Sequence, residues 1–200
     1  MRPFLGFLLG GIAAGFLLAG YLIYCRGLFR NEVQPNATSW SLWALGSTVT
    51  LLVYGAETAD LGKLMLPITC ALCSIVVTAY SLFKGKFRWP DRYDYVTIVA
   101  DLSVLGLWLT LKRSEVSYFA LLLDTALTFI PILRSTARNP STESRQAWGV
   151  WSISYGLLIG VCLVEWEGFL PLLLPMTYLA LHARVFVLAG RTTAHPAVPQ

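Results

Sequence analysis

The chain has 200 residues and a formal net charge of +4, with 56% of residues hydrophobic and only 13% charged. Soluble domains carry about 25% charged residues, so this composition, with its mean hydropathy of +0.63, excludes an ordinary soluble domain and points to lipid. The basic residues sit between apolar runs, where they meet anionic headgroups, and do not form a nucleic-acid footprint.

A helix that crosses a membrane needs about 20 mostly apolar residues. Seven segments qualify in chain order: Phe4–Tyr24, Trp40–Ala56, Gly62–Leu82, Tyr95–Leu111, Val116–Leu133, Ala147–Val164 and Phe169–Val187. They predict an all-α membrane protein with seven transmembrane helices. The connections are short and hold most of the Arg, Lys, Glu, Asn and Pro. Residues Thr192–Gln200 have no apolar period and are expected to form a disordered tail. The first segment is longer than the apolar core of a signal peptide, about 7–15 residues, and is read as a span.

Loop charge sets the orientation. With seven spans, one side receives Arg26, Arg30, Lys84, Lys86, Arg88, Arg92, Arg134, Arg138, Arg145, Arg184 and Arg191; the other receives Arg2, Lys63, Lys112 and Arg113. Lys and Arg concentrate on the cytoplasmic face. The chain is therefore expected in the cell membrane with its N-terminus outside and its C-terminus in the cytoplasm. Removing the first segment as a signal peptide would put the basic loops on the wrong face.

The sequence also repeats. An offset of 105 residues pairs Leu28 with Leu133, Pro35 with Pro140, Ser39 with Ser144, Trp43 with Trp148, Ser47 with Ser152, Leu52 with Leu157 and Gly55 with Gly160. After a three-residue insertion, Leu64, Leu66, Pro67 and Thr69 face Leu172, Leu174, Pro175 and Thr177. Leucines match by chance in apolar helices, whereas Pro, Trp, Ser and Thr in the same order do not do so readily. The predicted organisation is a first three-helix repeat (1–82), a linker helix with its loops (83–115), a second three-helix repeat (116–190) and the tail (191–200). One intervening helix gives both halves the same orientation. Such parallel repeats occur in transporters, whose solute site lies between the halves near the midplane.

With these residues in view, the chain resembles the PQ-loop superfamily, which includes SWEET and SemiSWEET sugar transporters, cystinosin-like transporters and KDEL receptors. The family mark is a Pro-Gln near the inner end of a helix, followed about nine residues later by a basic-Ser-Thr turn. Here Pro131 precedes Arg138, Ser141, Thr142 and Glu143. Ile132 stands where the family has Gln, and Arg26 is aligned with Pro131. The Pro35-Asn36, Ser39-Trp40 and Trp43 pattern is similar to bacterial seven-helix members. The resemblance implies the architecture of three helices, a linker and three helices; fold analogy alone assigns no chemistry.

An ionisable group inside a membrane is costly and calls for a reason. Asp124 lies halfway along the fifth segment, about 12 Å from either end by helix rise, and is a candidate to bind a proton, a cation or a solute hydroxyl. The structural alternative is an interhelical hydrogen bond. Asp101, about two turns into the fourth segment, is placed within reach of the inner aqueous region, with a structural role preferred. Trp43 and Trp148 read either as interfacial anchors or as paired walls for a flat solute. Thr69 and Thr177 either present hydroxyls to a cavity or repair the backbone near proline. Pro67, Pro175 and Pro131 are the candidate hinges.

Cys25, Cys70, Cys73 and Cys162 lie in or at the ends of apolar runs and read as packing thiols. No catalytic, metal or cofactor motif is present, so neither an enzyme nor a cofactor is expected. The expected partners are the lipid bilayer and a small polar solute, with a homo-oligomer left open. The expected function is a transporter for a sugar, an amino acid or a similar solute, with proton coupling as an option. The rivals are a non-transporting receptor and a packing subunit.

Overall fold

The computed structural model describes residues 2–30, 32, 37–83, 89, 91–111 and 115–191. They form seven α-helices: α1 (Arg2–Phe29), α2 (Ala37–Glu57), α3 (Leu61–Phe83), α4 (Arg92–Leu111), α5 (Glu115–Arg138), α6 (Arg145–Val164) and α7 (Leu170–Ala189), with a 3₁₀ turn at Pro140–Thr142. The tail expected over residues 192–200 lies outside the described residues, as do Pro35, Asn36 and the basic residues Lys84, Lys86, Arg88, Lys112 and Arg113.

Where the helices start is set by polar residues that follow the apolar runs poorly. Asp60 accepts from the Lys63 amide at 2.9 Å and caps α3. At α4, Asp91 accepts from the amides of Tyr93 and Asp94 while Asp94 accepts from the Asp91 amide at 2.8 Å, a reciprocal cap that starts the helix before its apolar stretch. Ser144 caps α6 by accepting from Ala147. The helices α1 and α5 run on past Tyr24 and Leu133, where the apolar segments end, because a backbone ladder continues until something stops it. For α5 the stop is the Asn139-Pro140 step.

Six helices, all but α2, are long and apolar enough to cross a membrane. The exception is 21 residues long but carries many hydroxyls, and Ser47 and Thr48 both donate to the Ala44 carbonyl of their own helix. It compensates for that polarity by packing against α3, α4 and α5. Large apolar side chains such as Leu22, Val76, Leu123 and Leu163 lie exposed on the outside of the bundle, which is the surface a bilayer covers.

In the packing, α3 touches both α1 and α2, and α7 touches both α5 and α6. The two triplets meet along two seams, α1 with α6 and α2 with α5, while α4 packs on α2 and α5. One end of the bundle is rich in Arg: there Arg134 donates to the Tyr93 hydroxyl at 2.7 Å and Arg145 stacks over Phe186. The opposite end is closed by polar contacts between the α2–α3 and α6–α7 connections. Lys63, fully buried, pairs with Glu167 at 2.8 Å and donates to the Glu165 carbonyl, and Thr58 also donates to Glu167.

Candidate functional site: a central cavity and a buried carboxyl pair

A cavity of about 50 Å³ opens between the triplets toward the Arg-rich end, and all seven helices contribute to its lining. By the same measure a water needs about 10–15 Å³, so there is room for about four. From α1 come Leu17, Tyr21 and Tyr24; from α2, Trp40 and Trp43; from α6, Trp148 and Trp151; from α7, His182; and from the turn before α6, Glu143. Asp94, at the capped start of α4, and Pro131 of α5 complete the mouth.

Their rings are packed edge to face. Trp43 and Trp148 lie 6.1 Å apart between centroids, at 88°, and Trp148 meets Trp151 at 5.0 Å and 90°. His182 touches Trp148 at 5.1 Å and Phe129 at 5.0 Å. Three of the four indole N–H groups are already used within the protein. Trp40 donates to the Tyr24 hydroxyl, Trp148 to Glu143 Oε2 at 2.8 Å, and Trp151 to the Leu17 carbonyl at 3.1 Å. The His182 Nδ1 lies 2.8 Å from the Tyr178 carbonyl; a carbonyl cannot donate, so Nδ1 carries the hydrogen. Glu143 is partly buried, and that burial pushes its carboxyl up to about 7, with the Trp148 hydrogen bond pulling the other way.

Two smaller spaces of about 10 Å³ each continue inward. The first shares Trp43 and Thr128 with the central cavity and is lined by Gly46, Asp124, Thr125 and Tyr178. The second shares Ser47, Thr50 and Tyr178 with the first and brings Pro67 and Pro175 to one space, below Tyr54. The Tyr54 hydroxyl donates to the Pro171 carbonyl at 3.3 Å, a group whose helix partner would have been the missing N–H of Pro175. All three prolines sit inside continuous helices.

Asp101 differs from its expected place. It is fully buried, does not line the central cavity, and faces Asp124 across the α4–α5 contact. Both Asp101 oxygens and Asp124 Oδ1 are buried without a donor among the described residues. A proton shared between the two carboxyls would supply the hydrogen bond that each lacks. Thr69 and Thr177 do not reach the cavities. Their hydroxyls donate to the carbonyls of Met65 and Leu173 on their own helices, at 2.8 and 2.9 Å. All four cysteines are free, and Cys70 lines the central cavity.

Sequence reasoning singled out Trp43, Trp148 and Asp124 but missed Trp40, Trp151, Tyr21, Tyr24, Glu143 and His182. The available signal was the density of aromatic residues near the Arg-rich ends of α1, α2 and α6. Lys63 was counted as loop charge, yet it is buried in the first turn of α3.

The fold and this interior define the class: an all-α, multi-pass membrane protein with a cavity between its helices. Comparison with protein-family models, with curated proteins and with solved structures finds no match for the chain.

Proposed function

We propose that the protein is a transporter that moves a small polar solute through the cell membrane by alternating access between two three-helix halves, its Arg-rich end cytoplasmic. The observation that carries this reading is the run of three adjoining spaces between the triplets, from the Arg-rich end past Asp124 to the Pro67–Pro175 level. A subunit that only packs against a partner has no use for such a path. The clasp of Lys63, Glu167 and Thr58 closes the far end, as expected of a carrier caught open or half-open to one side only.

The helix neighbours support parallel repeats: the third helix of each triplet lies between the first and second, and the seams α1–α6 and α2–α5 exchange under the same offset. A further pair agrees. Ser74 donates to the Cys70 carbonyl at 2.7 Å, and 108 residues later His182 donates to the Tyr178 carbonyl at 2.8 Å. The division into three, one and three helices is the layout that the PQ-loop resemblance implies. The Asp101–Asp124 pair is the candidate coupling site, since loading or removing one proton changes what holds α4 against α5.

The test is uptake into proteoliposomes. Wild type is expected to accumulate its solute on an imposed pH gradient. Asp124→Asn should insert and fold but lose gradient-driven uptake while retaining exchange; gradient-driven uptake at the wild-type rate would remove the coupling role. The absence of flux above protein-free liposomes across sugars, amino acids and amines would remove the transporter reading.

A further inference from the structure

We propose that the central cavity binds a small organic cation, an amine or quaternary ammonium group, rather than a sugar or a zwitterion. This rests on reading the cavity as a solute site, and it follows from what the walls offer. Trp40, Trp43, Trp148 and Trp151 present ring carbon and π-electrons, because the indole N–H groups of Trp40, Trp148 and Trp151 are committed to protein acceptors. Aromatic rings of this kind attract cations through their quadrupoles, and a cage of them is how quaternary ammonium groups are recognised. The charged lining residues are Glu143 and Asp94, both acids, and no Lys or Arg lines the cavity among the described residues.

That inventory discriminates between solutes. An anion or the carboxylate of an amino acid needs a cationic or multiple-donor partner, and none is placed here. A sugar needs several matched donors and acceptors, while most of the polar groups are spent on one another. A quaternary ammonium needs no acceptor and no donor, only negative charge and polarisable surface. Room for about four waters suits an ammonium head group. Glu143 is the principal anion: its Oε2 is held by Trp148 at 2.8 Å, so the carboxylate stands beside the ring that would stack on the cation.

The site is therefore sensitive to pH in a defined direction. With its carboxyl at about 7, Glu143 is neutral below that pH and charged above it. A cation favours the charged form, so affinity rises as pH rises through about 7, and binding near that pH releases a proton. Among the described residues, the other titratable groups lining the cavity are Tyr21 and Tyr24 of α1, Cys70 of α3, Asp94 of α4 and His182 of α7, with none from α2, α5 or α6. Protonation of His182 or Asp94 would weaken a cation's binding too, so the sign is unchanged.

The probes are tetramethylammonium and choline, with 3,3-dimethylbutan-1-ol as the uncharged isostere of choline, and glucose and glycine as competitors. Binding is read from tryptophan fluorescence of the full chain in lipid nanodiscs. The two cations should give a saturable change and the other three none. Trp43→Leu should weaken cation binding roughly tenfold and Trp43→Phe much less. Glu143→Gln, whose amide oxygen can still accept from Trp148, should weaken it by a similar factor and abolish the pH dependence around 7. Equal binding of the uncharged isostere, or unchanged affinity in Glu143→Gln with a normal melting profile, would overturn the proposal. Cation binding without flux would leave this site standing and remove the transporter reading; sugar or amino-acid flux without cation binding would do the reverse.

Discussion

The two seams between the triplets, α1 with α6 and α2 with α5, are filled in opposite ways. Across α1–α6, Gly20 lies against the indole of Trp151, so closely that a β-carbon at Gly20 would collide with the ring. Nearer the far end Gly10 lies on the backbone of Gly62, which brings α1 equally close to α3. At the 105-residue offset found in the sequence, Thr125 stands opposite Gly20 and Gly46 opposite Trp151. The α2–α5 seam thus has a hydroxyl where the other has no side chain, and no side chain where the other has an indole. The space left is taken by Asp101 from α4, whose Oδ1 comes within 3.0 Å of where a Gly46 β-carbon would be, and by the small cavity at Asp124. At Gly20 the α1–α6 seam is closely fitted; the α2–α5 seam is polar at the matching level and is completed by α4. Close-packed interiors resist deformation, so the polar seam is where the halves can part.

Substitutions at the glycines sharpen that contrast. Gly10→Ala sets a methyl against backbone that has nowhere to go, and should cost ~3 kcal/mol or more in unfolding of the solubilised protein, or prevent folding. Gly20→Ala meets a large ring that can tilt only a little, and about 2 kcal/mol is expected. Gly46→Ala faces one carboxylate oxygen that can shift, with a loss of about 1 kcal/mol. Smallest of all is Asp101→Asn, at about 0.5 kcal/mol, because its amide N–H can donate to Asp124, whose Oδ1 is buried without a partner. Asp101→Leu strands the Asp124 carboxyl and belongs with the larger losses, at about 2 kcal/mol. Thermal melts should place Gly10→Ala lowest, then Gly20→Ala and Asp101→Leu together, then Gly46→Ala, with Asp101→Asn nearest the wild type. A Gly46→Ala loss as large as that of Gly20→Ala would mean that the two seams are equally tight.

Much of the helical skeleton was legible because span length is a property of the bilayer and six of the seven runs, all but α2, are long and apolar enough to fit it. The ends were less so: α1 and α5 extend beyond their apolar segments, and α4 begins early because Asp91 and Asp94 cap it. Asp124 could be found from its cost in lipid. Its partnership with Asp101 could not, because that depends on which face α4 turns to α5, and none of the positions matched at the 105-residue offset lies in α4. Trp43 and Trp148 were visible through their alignment. The rest of the aromatic wall was not, since a Trp near a helix end reads equally as an interfacial anchor until the neighbouring helices are known. Thr69 and Thr177 show the opposite case: a matched pair whose hydroxyls turn back onto their own helices.

The most direct test of the account is whether the two ends of the bundle move in opposition. In a background with the four cysteines replaced, spin labels at Arg30 and Arg138 report the Arg-rich end, and labels at Leu61 and Phe169 report the far end; all four positions are exposed. Pulsed electron–electron double resonance in liposomes should show a second population on adding solute or changing pH, with one end shortening as the other lengthens. A single unchanged distance at both ends, under ammonium ions, sugars, amino acids and a pH gradient alike, would contradict alternating access.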